Sequence, residues 1–170
     1  MTFKPASLFA CGLLLSLSTA VWAQFAVEEP EWKESDVPPP PAFDISKLIT
    51  FEVSPNSALV YGVDPATISI TQNDGLVRYV MVASSASGTR NVMYEGIRCS
   101  TGEFKTYARY SPEGRWTMVS TPEWRTMFGN MPSRHALRFA QAGGCDNAAV
   151  PLSVNAVVRR LKNPNLGMTQ

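Results

Sequence analysis

The feature that most restricts this chain's fold is a series of β-rich runs joined by turns too short for a crossover. Thr67 to Thr71 and Leu76 to Val82 flank Gln72-Asn73-Asp74-Gly75. An Asp-Gly pair between β-branched runs signals a hairpin, because both residues tolerate a positive φ. Ser85-Ala86-Ser87-Gly88 leads into Asn91 to Arg98, Thr101-Gly102 into Phe104 to Tyr110, and Ser111-Pro112-Glu113-Gly114 into Arg115 to Val119. A parallel neighbour needs about a dozen residues to cross back, so these runs pair antiparallel, as a meander. Upstream, Leu48 to Val53 and Leu59 to Val63 suit two further strands, broken by Pro55-Asn56-Ser57 and Asp64-Pro65.

Helices come late. Asn130-Met131-Pro132-Ser133 reads as a helix entry, Arg134 to Ala142 as the helix, and Gly143-Gly144 as its end. Ser153 can cap a second helix with Val154, Val157, Val158 and Leu161 as its apolar stripe, stopped by Asn163-Pro164. Arg159, Arg160 and Lys162 fall at its C-terminal end, where cations offset the helix dipole without any ligand. Strands followed by helices predict an α+β fold, an antiparallel meander sheet with two C-terminal helices packed on it.

The first residues read as an address. Lys4 precedes an apolar run from Leu8 to Leu17, and Val21-Trp22-Ala23 sets a small-residue cut after Ala23. That order predicts a secretory signal peptide over 1–23, and the run is too short to span a bilayer, so no stable transmembrane segment is expected after processing. Leu8-Phe9-Ala10-Cys11 offers a lipoprotein box as an alternative, but most of the apolar run follows that cysteine instead of preceding it. Removing residues 1–23 of 170 leaves 147, the size of one domain. The reading divides it into an acidic, proline-rich linker over 24–44, one domain over 45–163 and a loose tail over 164–170.

Charge is unevenly spread. Residues 24–44 hold six acids and one base; residues 45–170 hold eight acids and thirteen bases, ten of them arginine. The acidic segment either keeps the chain soluble or folds back on the domain; solubility is the simpler reading. Pro38-Pro39-Pro40-Pro41 is extended in either case, and Trp32 is read as covering an apolar patch of its own domain. The domain's modest positive excess, without a basic run, gives no footing for nucleic acid.

Two cysteines follow the cut, Cys99 and Cys145, and an even pair in an exported chain reads as a disulfide. Two thiols and one histidine make a poor zinc site, and no metal or cofactor is expected. No catalytic motif is present. His135, the only histidine, is read as an exposed residue in the first turn of a helix.

The stretch from Ser87 to Cys99 is the richest in chemistry. Its alternation puts Val92, Tyr94, Gly96 and Arg98 on one side and Asn91, Met93, Glu95 and Ile97 on the other. Glu95 is expected to meet Arg78, Arg109 or Arg115 across strands. Arg90, Tyr94, Glu95, Arg98 and Trp116 are the candidate ligand-binding residues, since aromatic faces and guanidiniums suit sugars, peptides or carboxylate-bearing wall fragments.

Val63 to Ser69, Asp74 to Tyr79 and above all Ser87-Gly88-Thr89-Arg90-Asn91-Val92-Met93-Tyr94-Glu95-Gly96-Ile97-Arg98-Cys99 resemble an uncharacterised family of exported proteobacterial proteins named after a cryptic neisserial protein. The resemblance runs from about Trp32 to about Leu161. It implies a Gram-negative envelope protein, placed in the periplasm, and carries no activity to transfer. Gln141-Ala142-Gly143-Gly144-Cys145 departs from the family, being small and glycine-rich where a more aromatic approach to the cysteine is expected. The expectation is therefore a binding or envelope-assembly module with an envelope protein or wall fragment as partner. The alternative is a hydrolase of wall or sugar polymers using Glu95 and Glu103, which requires both carboxylates in one groove.

Overall fold

A computed structural model describes residues 31–164. The readings of the signal segment, of Cys11 and of residues 165–170 lie outside the described residues. The architecture is α+β: one eight-stranded antiparallel sheet followed by two helices. The strands are β1 Ile49–Phe51, β2 Leu59–Val63, β3 Ser69–Thr71, β4 Leu76–Ser85, β5 Arg90–Arg98, β6 Glu103–Tyr110, β7 Trp116–Met118 and β8 Arg125–Thr126.

The path runs β1-β2-β4-β5-β6-β7, with β3 beside β4 and β8 beside β6. The meander is interrupted once. β2 pairs with residues 81–85 of β4 and β3 with residues 76–78, so the two share one edge of a long strand. Between them Asp64 caps a single turn at Pro65–Thr67 and Thr67 donates its hydroxyl to the Asp64 carbonyl at 2.7 Å. β8 was not foreseen: two exposed residues carry no alternation to read.

Every residue of β4 from Leu76 to Ala83 is buried, so both sheet faces are covered. On one face Tyr61, Val77, Tyr79, Met81 and Ile97 pack with Leu137, Phe139, Val157 and Leu161 of the helical end. The Tyr79 and Phe139 rings lie 4.1 Å apart. On the other face Val80, Val82, Tyr94 and Tyr107 meet Val37, Phe43 and Trp116. The second face thus gets its cover from the acidic segment read as a linker. Among the described residues, those from Trp32 belong to one compact unit.

α1 is His135–Phe139, shorter than expected, and passes into a wide turn over Ala140–Gly144. Gly143 there has φ 130°, and a Cβ on it would sit 2.5 Å from the Arg160 Cβ, so only glycine fits. α2 is Val154–Lys162, capped by Ser153 as expected. Cys99 and Cys145 form the disulfide, with Cα atoms 5.7 Å apart, joining the end of β5 to the turn before α2. Among the described residues no helix is long and apolar enough to cross a membrane.

Candidate functional site: a cleft at the end of the sheet

β5 alternates as the sequence indicates, but its side chains serve three separate places. Tyr94 and Glu95 are fully enclosed, Arg98 and Trp116 half-buried, and only Arg90 is exposed. The five candidate residues do not converge on one surface.

Glu95 lies inside the helix face, and its partner is not an arginine. His135 Nε2 stands 2.9 and 3.1 Å from the two Glu95 oxygens. Thr106 donates to Oε1 at 3.1 Å and Tyr79 to Oε2 at 3.4 Å. His135 is buried, contrary to the surface position expected, with Nδ1 3.0 Å from Ser133 Oγ. The first turn of α1 points at the sheet, because Ala136, Leu137 and Phe139 are drawn into the core and carry His135 with them. Burial alone would lower the imidazole pKa; the Glu95 charge and hydrogen bond outweigh it and hold it above 6.5, while Arg109 works the other way. Arg78 is on the opposite face, so it cannot meet Glu95.

That opposite face holds a clasp. Arg78, 1 % exposed, reaches Asp74 at 3.1 Å and Glu34 at 3.6 Å. Lys105 and Tyr107 also hold Glu34, the phenol donating at 2.6 Å. Ser35 donates its hydroxyl and its N–H to Asp74. Burial would raise the Asp74 pKa; Ser35 and Arg78 outweigh it and leave the carboxyl below its usual range. The Trp32 indole donates to the Asp74 carbonyl at 2.8 Å and lies 3.9 Å from the Arg98 guanidinium. A bulge in β6 makes this possible. Tyr94 pairs with Ala108 but Glu95 with Thr106, leaving Tyr107 as the extra residue. Its ring covers Gly96, where an added Cβ would come within 2.5 Å of the phenol oxygen.

Beyond the clasp, Pro38 to Pro41 carry the chain to Phe43, which packs on Tyr110 and Trp116 at 5.0 and 5.9 Å. Phe43, Ile45, Val92 and Tyr110 then line a cleft of about 560 Å3, together with Thr89, Arg90 and Pro112. Asp44 also lines it, but its carboxylate is committed to Ser46 and Lys47. Those Ser46 hydrogen bonds hold it below the usual range. Among the described residues the Arg90 guanidinium has no ion pair or hydrogen bond. An open guanidinium beside an aromatic floor can take a carboxylate attached to an apolar or ring-shaped body.

Glu103 closes the comparison of carboxylates. It accepts from Thr101 at 2.6 Å and pairs in register with Arg98, on the face away from Glu95. The two carboxylates therefore do not share a groove. The residues missed in the sequence were Glu34, Phe43 and Asp74. For Glu34 and Phe43 the signal was the acidic, aromatic segment ahead of a positively charged domain.

A sheet clasped on one face by an acidic segment, covered on the other by disulfide-tied helices and carrying a cleft at one end defines an α+β class of architecture. The CNP1-like family model matches residues 27–162, and the chain belongs to that family. It is similar to "Cryptic neisserial protein 1" of Neisseria gonorrhoeae, with 27% identity over 100 residues, 52% of this chain and 49% of that one. The chain thus spans about half the length of this curated relative. No solved structure matches it.

Proposed function

We propose that this chain is an exported, periplasmic binding module that acts without catalysis, taking a carboxylate-bearing fragment of the cell wall in the cleft at Arg90. The observation that carries the reading is the cleft itself: about 560 Å3, lined by Phe43 and Tyr110 and by an uncommitted arginine. Export is supported by the charged, apolar and small-residue order of 1–23. A disulfide fits an oxidising compartment. An envelope-assembly role follows from the same site if the fragment is part of a larger polymer. The hydrolase alternative loses its support, because Glu95 is enclosed and Glu103 faces the other way.

Calorimetric titration of the processed chain with N-acetylmuramyl dipeptide tests the reading. Saturable binding is expected, weakened by about tenfold or more in Arg90→Glu, since a charge-assisted hydrogen bond is replaced by repulsion. Binding that is absent, or equal in Arg90→Glu, contradicts it.

A further inference from the structure

A second recess, of about 220 Å3, lies where the chain leaves β7 and returns as β8. Thr106 and Arg109 of β6, Val119, Thr121, Glu123 and Arg125 line it. Arg109 stands opposite Met93 and Arg125 opposite Phe104, both on the helix face of the sheet. Both arginines are exposed, and among the described residues neither makes an ion pair or a side-chain hydrogen bond. Arg78, Arg98 and Lys105 of the same three central strands, β4 to β6, are all paired. Two arginines from strands of one sheet thus line one concavity together with a single carboxylate residue, Glu123. The Thr106 hydroxyl in its lining is committed to Glu95, so it fixes the wall without neutralising the charge.

We propose that this recess is an anion site for a phosphate group, gripped by Arg109 and Arg125. Two guanidinium forks offer more donors than one carboxylate accepts, and a phosphate presents three oxygens and up to two charges. The recess is too small for an extended polymer and suits a headgroup or a phosphate monoester. The site is distinct from the Arg90 cleft, since Arg109 and Tyr110 lie on opposite faces of β6.

His135 is a built-in reporter. It is the chain's only histidine. Glu95 faces it from β5, Tyr79 reaches the same carboxylate from β4, Tyr61 stacks parallel to it from β2, and Arg109 acts on it from β6. An anion that cancels the Arg109 charge lets the imidazole hold its proton to higher pH. The experiment is a pH titration of the His135 ring resonances in the untagged processed chain, with inorganic phosphate replacing chloride at constant ionic strength. The expected result is an upward shift of the midpoint that saturates with phosphate. Arg109→Gln/Arg125→Gln, two surface changes that spare the core, should abolish that shift, with affinity down by at least about tenfold. A midpoint indifferent to phosphate, or a shift that survives in the double variant, overturns the site. Phosphatidylglycerol vesicles separate the sources. Competition with phosphate marks a lipid headgroup, and absence of competition marks a soluble phosphate compound.

Discussion

At the scale of single residues, the chain places its strongest chemistry where solvent does not reach. Glu95 is 0 % and His135 7 % exposed, and each is the other's counter-charge. Removing the carboxylate leaves the buried imidazole and the Tyr79 and Thr106 hydroxyls without their partner, so Glu95→Ala is expected to cost about 3–5 kcal/mol by urea unfolding. Because the folded His135 pKa is raised, the stability this residue contributes is complete below about pH 6.5 and is lost as pH climbs through the raised value. Unfolding free energy should therefore fall as pH rises from about 6.5 through the raised His135 pKa, and His135→Asn should flatten that slope. A slope unchanged in the variant would refute the pairing. Gly96 gives a second residue-scale test. Its missing Cβ is the space that Tyr107 occupies, so Gly96→Ala should cost about 1–3 kcal/mol through overpacking and loosen the hydrogen bond to Glu34.

At the scale of elements, β1 to β7 and α2 were legible because each rests on local rules: Asp74-Gly75 makes its turn, Ser153 makes its cap, and β-branched runs alternate. What escaped was anything decided by a distant partner. His135 occupies a helical position whose facing surface is set by Tyr79 and Glu95, far away in sequence, so periodicity alone could not show it buried. The acidic segment escaped for a related reason. It docks by ion pairs and two aromatic anchors, and a proline-rich polar run has no apolar period to read. Its anchoring is testable. Glu34 sits between Arg78 and Lys105, both largely buried, so Glu34→Ala should cost about 2 kcal/mol or more, short of a fully buried pair because Asp74 still holds Arg78. Hydrogen exchange should then quicken at Ser35, whose N–H donates to Asp74, while β4 and β5 stay protected. Protection unchanged at Ser35 would show that Glu34 does not hold the segment.

At the scale of the whole molecule, one sheet is closed from both sides by elements that differ in kind. The helical end is tied covalently across a sequence separation of 46 residues, and opening that loop on reduction should remove about 4 kcal/mol on the chain-entropy model. The N-terminal segment is tied by charge, and it supplies Phe43 and Ile45 to the cleft. The Arg90 cleft is therefore a product of the assembled chain: β5 brings the arginine, β6 brings Tyr110, and a segment that reads as a linker brings the opposing wall. Backbone amide shift mapping during titration with N-acetylmuramyl dipeptide tests this most directly. Saturable shifts are expected at Thr89, Arg90, Val92, Tyr110 and Ile45 together, and their loss is expected in Arg90→Glu. Shifts confined to other surfaces, or shifts at these amides that persist in Arg90→Glu, would contradict a binding cleft at this end of the sheet.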